Sequence, residues 1–443
     1  MMALFFLLIF QIHAQEFPKN FLWCSATAAH QIEGNNDKSD WWQWEKLPGK
    51  IRNNDQSSQA SNHWNMVSED IQLMTDLGLD TYRFSLSWSK IEPLQGHFDF
   101  KALEHYQNEI NELIKKGIKP IVTLHHFTQP QWFQDLGGWE NKKAVNLFLS
   151  FVKIVYSILG KNVQYWTTIN EPMVFIGGGY IEGVTPPGKN RADFGPPLIH
   201  LLQAHAEAYH YIKGQAKKEN REVLIGLAHH LRPLEAWQKW NPIDLFIAYY
   251  ADKVFNWDIL QALKTGTLDI YVPFLINIHQ DIPQLKNTQD YIGINYYTRE
   301  LLHFSFSEFK ILRELKPSAE FSDLNWEIYP AGFKQVISDT HRIFPNTPIL
   351  ITENGIADKK DVYRARYINT HLKVLLESIQ KSIPILGYCH WTLMDNFEWI
   401  EGFEPRFGLY EVDYSNYKRK ARESTKYFKQ IIENNKLIPL TNQ

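Results

Sequence analysis

The stretch PILITENG, residues 348–355, decides how this chain is read. Pro348 opens it, Ile, Leu, Ile and Thr follow, and Gly355 closes it. That is the pattern of a short strand covered on both faces, as parallel sheets require. Glu353 stands at the end of that run. A carboxylate in such a place is costly unless it is paired or used, so the strand end is a candidate for chemistry.

Seven other runs have the same form: FLWCSATA (21–28), TYRFSLS (81–87), PIVTLHH (120–126), QYWTTIN (164–170), VLIGLAHH (223–230), YIGINYY (291–297) and PILGYCHW (384–391). Amphipathic helical patterns lie between them, such as 69–78, 102–117 and 198–214, each closed by a Gly that suits a helix stop. Eight strands alternating with helices, with no linker to divide them, predict one α/β domain over residues 15–443. The fold expected is a single (β/α)8 TIM barrel with its active site at the C-terminal ends of the strands.

That geometry gives Glu353 a partner. The fourth run ends in TTINEP, where Glu171 follows Asn170, and strands four and seven face each other across such a barrel. Two carboxyl groups converging on one cleft are what glycoside hydrolysis needs: one protonates the leaving oxygen, the other attacks the anomeric carbon or activates water. Either glutamate alone reads equally well as half of a structural ion pair.

Composition agrees with a large core and a sugar-binding groove. Of 443 residues, 44% are hydrophobic and 14% aromatic, and aromatic rings can pack against a flat partner while their polar edges bond to it. The formal net charge of -3 points to neither nucleic acid nor an anionic membrane. At the N-terminus, MMALFFLLIFQIHAQEF has an apolar block and a small residue, Ala14, as a secretory signal over residues 1–14 would. The block is too short to span a bilayer. Export to the periplasm or medium follows if it is a signal, with no stable membrane insertion after cleavage; otherwise the protein is cytoplasmic. Cys24 and Cys389 read as two buried small hydrophobes rather than a bridge, with pairing left open. The pairs His125–His126 and His229–His230 lack the i,i+4 spacing of a zinc helix, so no metal is expected, and hydrolysis by two carboxyl groups calls for no cofactor.

Taken together, the motifs FLWCSATAAHQIEG (21–34), YRFSLSWSKIEP (82–93), TLHHFTQPQWF (123–133), TINEP (168–172), YIGINYYT (291–298), ITENG (351–355), WTLMDNFEWIEGF (391–403) and RFGLYEVDY (406–414) resemble glycoside hydrolase family 1, the β-glucosidase family, in the family's order. The resemblance implies a retaining mechanism with Glu353 as nucleophile and Glu171 as acid/base. It implies that Arg83 and Asn295 support the nucleophile and that Tyr297 contacts it. Gln31, His126, Asn170, Glu398 and Trp399 match the positions that grip the sugar, and Trp391 the aromatic floor beneath its ring. A charged Glu353 is expected to raise the proton affinity of Glu171.

Glu398 stands where relatives that act on 6-phosphorylated sugars replace the acid, which implies an unphosphorylated sugar. Glu171, rather than Gln, implies ordinary O-glycoside hydrolysis. Two positions depart from the family pattern: Thr128 in HFTQP and His30 in AHQ. SDWWQWE (39–45) resembles branches that accept both gluco- and galacto-configured sugars, and Trp41, Trp42 and Trp44 suit either an entrance or a core. The function implied is a β-glycosidase acting on terminal β-glucosyl, and also β-galactosyl or β-fucosyl, units of small glycosides. A catalytically silent sugar-binding protein and a transglycosidase using the same glutamates are the alternatives. The leaving-group side of the cleft and the oligomeric state are not written in these motifs.

Overall fold

Eight strands, buried along nearly their whole length, close into one ring: β1 (Leu22–Ala26), β2 (Thr81–Ser85), β3 (Lys119–His125), β4 (Tyr165–Asn170), β5 (Leu224–His230), β6 (Tyr291–Tyr296), β7 (Ile349–Asn354) and β8 (Ile385–Trp391). Each pairs in parallel with its neighbours in sequence, and β1 closes the barrel against β8. The computed structural model describes residues 16–191 and 193–440, so the N-terminal segment read as a signal lies outside the described residues.

Strand alternation sorts the side chains. Trp23, Tyr82 and Phe84 join the apolar layer beneath the helices, whereas Leu22, Cys24 and Ala26 meet Ile121, Leu350, Cys389 and Trp391 inside the ring. Cys24 and Cys389 are in register on β1 and β8 and form a disulfide, which corrects their reading as two separate hydrophobes.

The helices Val67–Leu77 and Phe100–Lys115 stop beside Gly78 and Gly117, both left-handed, as their patterns predict. The helix expected to stop at Gly214 instead runs from Gly195 to Lys218. Ile212 and Ala216 are both buried, so the helix continues past the glycine along one packed face. The helical segment Ala144–Asn162 is long and apolar enough to cross a membrane, but its Phe148, Phe151, Val152 and Val155 face is buried against the outer core.

Candidate active site

Both candidate glutamates owe their aim to an extra residue in their strands. Along β7, Leu350 faces the inner cluster and Ile351 the outer one, so simple alternation would send Glu353 outward with Ile351. The pairing with β6 instead steps from Ile351 opposite Ile294 to Glu353 opposite Asn295. This bulge turns Glu353 inward. On β4 the pairing with β5 steps from Thr167 opposite Gly226 to Asn170 opposite Ala228. Glu171 comes next with φ +46°, in the left-handed region that non-glycine residues rarely occupy, and its N–H is held by the Ala228 carbonyl at 2.8 Å.

Glu353 is set between donors. The fully buried Arg83 guanidinium pairs with its Oε1, and the Tyr297 hydroxyl donates to its Oε2 at 2.6 Å. Arg83 also donates to Asn170 Oδ1 at 2.7 Å and to the Thr352 carbonyl at 3.2 Å, which fixes the guanidinium across β2, β4 and β7.

Asn295 does not join that group. Its amide donates to Glu171 Oε1 at 2.7 Å and to Asn170 Oδ1 at 3.1 Å, while its own oxygen accepts from Thr352. The expectation that it supports the nucleophile is therefore corrected: its side chain leans toward β4, and it holds the other glutamate. His230 Nδ1 lies 3.3 Å from the same oxygen of Glu171. Both contacts fall on Oε1, which leaves Oε2 for the cleft.

Burial pushes the Glu353 carboxyl up to about 7; Arg83 and Tyr297 pull against it, and the charge of Glu171 adds to it. At Glu171 burial acts in the same upward direction but is outweighed by His230, Asn295 and Arg83, so this carboxyl lies below the ordinary glutamate value. A raised Glu171 was the expectation from the charge of Glu353 alone, and His230 reverses it. The two carboxyls share one proton up to about pH 7. The donors around Glu353 favour its charged form, whereas the contacts of Glu171 with Asn295 and His230 both engage Oε1.

The cleft above the pair encloses about 340 Å³. Gln31 donates to Glu398 Oε2 at 3.2 Å and to the Phe397 carbonyl at 3.0 Å, and its own oxygen is buried without a protein partner. Burial, reinforced by the charge of Glu353, lifts Glu398 to about 8. His126 Nε2 meets the Asn170 amide at 3.1 Å; burial, then Arg83 and His125, hold this imidazole well below its usual value, so it is neutral. Its ring stacks near those of Trp391 (6.0 Å) and Trp399 (5.9 Å). Seven of the expected residues, His126, Glu171, Tyr297, Glu353, Trp391, Glu398 and Trp399, line the cleft. Gln31, Arg83, Asn170 and Asn295 bond to them from behind. Among the described residues, no three His, Cys, Asp or Glu side chains group as a metal would need.

Residues 13–437 match the sequence model of glycosyl hydrolase family 1. The chain belongs to that family. The hydrolase is 30% identical to beta-glucosidase A of Thermotoga maritima, a match covering 96% of this chain and all of the relative, and 30% identical to beta-glucosidase A of Acetivibrio thermocellus over 95% of this chain and 98% of that one. Among solved structures it resembles a beta-glycosidase from Pyrococcus horikoshii, with a TM-score of 0.86, 34% identity and 96% coverage of both chains. It is thus a glycosidase by family.

Sequence reasoning had missed several residues of the hydrolase's cleft. His230 stands at the end of β5, the kind of place that singles out Glu171 and Glu353, but its spacing from His229 speaks only to metal binding. Arg232, Phe255, Glu300 and Trp326 also line the cleft but sit on connecting segments with no periodicity to read. Of the tryptophans at 41, 42 and 44, only Trp41 reaches the cleft, 4.7 Å from Trp399. His30, one of the departures, stacks behind Trp399 at 6.0 Å with Glu45 at 3.5 Å on its far side.

Proposed function

We propose that this hydrolase removes terminal β-D-glucosyl units, together with β-galactosyl or β-fucosyl units, from small glycosides and oligosaccharides with retention at the anomeric carbon. Glu353 attacks that carbon while Glu171 gives its proton to the departing oxygen. The ester to Glu353 is then broken by water, whose proton Glu171 takes. The observation that carries the reading is the unequal setting of two glutamates in one cleft: Glu353 between two donors, and Glu171 with one oxygen held and the other free.

Gln31, His126 and Glu398 supply hydrogen bonds to a sugar's edge, and Trp391 supplies a surface for its apolar face. A carboxyl at Glu398, which accepts from the Gln31 amide at 3.2 Å, would repel a phosphate and suits an unphosphorylated sugar. Structures of a Thermotoga maritima β-glucosidase, 29% identical, hold castanospermine and galacto-hydroximolactam, which supports breadth across gluco- and galacto-configured ligands. Export belongs to the same reading and is supported by the Cys24–Cys389 disulfide, a bond that persists in oxidising compartments.

The test is release of nitrophenol from β-linked gluco-, galacto-, fuco- and mannosides beside cellobiose, with product anomers followed by NMR. The β-anomer should form first. Sugar binding without turnover would instead favour a silent binding protein.

A further inference from the structure

Beyond the sugar-gripping residues the cleft has a wall of different make-up. Arg232, two residues past β5, is 16% exposed at its side chain, and its guanidinium carbon lies 4.5 Å over the Phe255 ring. Its backbone is clamped on both sides by Asn256, which accepts from its N–H at 3.0 Å and donates to its carbonyl at 2.7 Å. Its Nη1 pairs with Glu300 Oε1 at 2.7 Å. Glu300 Oε2 pairs in turn with Arg313 Nε at 3.2 Å, and Arg313 Nη2 reaches Glu182 at 3.4 Å. All four charged groups line the cleft, and the buried Nε of Arg232 has no protein partner.

A guanidinium carries five N–H donors, and a single carboxylate leaves most of them to be matched. The signs along this wall alternate, so it does not attract an anion as such. Groups that both donate and accept, such as vicinal hydroxyls, match it from end to end. A flat apolar group would cover its donors without bonding them. His230 connects this wall to the catalytic pair, since its ring lies 5.8 Å from Phe255 and 5.7 Å from Tyr297.

We propose that Arg232, held in place by Glu300 and Asn256, is a specificity-determining residue that binds the leaving group and selects a second sugar over an aryl group. This rests on the glycosidase reading above, and it names the substrate class as β-linked disaccharides and short oligosaccharides. A purely structural role for Arg232, tying the segment after β6 to the segment after β5, is the competing account.

The experiment compares kcat/KM for cellobiose and for 4-nitrophenyl β-glucoside in the full-length wild-type protein and in Arg232→Met, Arg232→Lys and Glu300→Gln. The cellobiose-to-aryl ratio should fall about tenfold to a hundredfold in Arg232→Met, the range for losing a hydrogen bond to a charged group. Arg232→Lys should recover part of that loss. A ratio within about twofold of wild type in the variants that fold would overturn the proposal, as would equal losses on both substrates. If Arg232→Met does not fold, the other two variants decide by the same ratio. Wild-type turnover of the aryl glucoside with none of cellobiose would overturn this inference alone, whereas turnover of neither would remove the glycosidase reading and this inference with it.

Discussion

Glu171 and His230 meet through a single carboxylate oxygen, with the imidazole Nδ1 3.3 Å from Oε1. Asn295 donates to that same oxygen at 2.7 Å. An oxygen already accepting from two sides is a poor seat for a proton, so an acid at Glu171 carries it on Oε2. His230 favours the charged form of Glu171, and the pair's last proton leaves near pH 7. Accordingly kcat/KM for an aryl glucoside should decline above about pH 7, where no acid remains. Replacing His230 by Asn removes a group that stabilises the carboxylate, the proton is held more tightly, and the falling limb moves to higher pH. An unmoved limb would take His230 out of the electrostatics of the site.

The two glutamates should fail differently. Glu353→Gln removes the attacking group and should abolish turnover, and Glu353→Gly with added azide should yield the anomer-inverted glycosyl azide. Glu171→Gln should lose about a hundredfold to ten-thousandfold on cellobiose, the usual worth of a positioned acid. It should lose far less on a dinitrophenyl glucoside, whose leaving group needs little protonation. Equal losses on both substrates would count against the acid role.

Far from the cleft, His63 offers a stability test. It is buried between Asp70 at 2.7 Å and Glu109 at 3.2 Å, and Arg419 donates to both oxygens of Asp70, at 2.8 and 2.9 Å. Burial alone would lower its proton affinity, but the two carboxylates outweigh burial and raise it from 6.5 to about 10. A raised folded-state value means stability that is whole below about pH 6.5 and is lost as pH climbs through about 10. Against His63→Gln, wild type should be more stable by about 3–5 kcal/mol near pH 6, the range for breaking a buried pair. That gap should narrow steadily toward pH 10 in urea melts; a constant gap would mean that His63 acts by packing alone.

The barrel was legible because its strands are buried on both faces and so read as uninterrupted apolar runs. Glu171 and Glu353 were legible because a carboxylate at the end of such a run has no bland place to go. Asn295 was misassigned for a physical reason: on β6 it pairs with His230 on one side and with Glu353 on the other, and nothing local says which way its amide turns. The disulfide was not legible either. An apolar setting suits a free cysteine and a bridged one alike, and the register of the first strand against the last is fixed only when the ring closes. Arg232 and Glu300 lie in segments where contacts come from tertiary structure rather than from sequence spacing.

The bridge between β1 and β8 makes most of this polypeptide a covalent loop, since its two half-cystines stand 365 positions apart in the chain. A protease that cuts once in any loop between them severs the backbone without separating the pieces. The nicked enzyme keeps its full mass in a gel until a reductant is added, and then falls into two fragments whose sizes map the cut. The connecting segments that shape the leaving-group wall can therefore be opened one at a time while the barrel stays a single molecule.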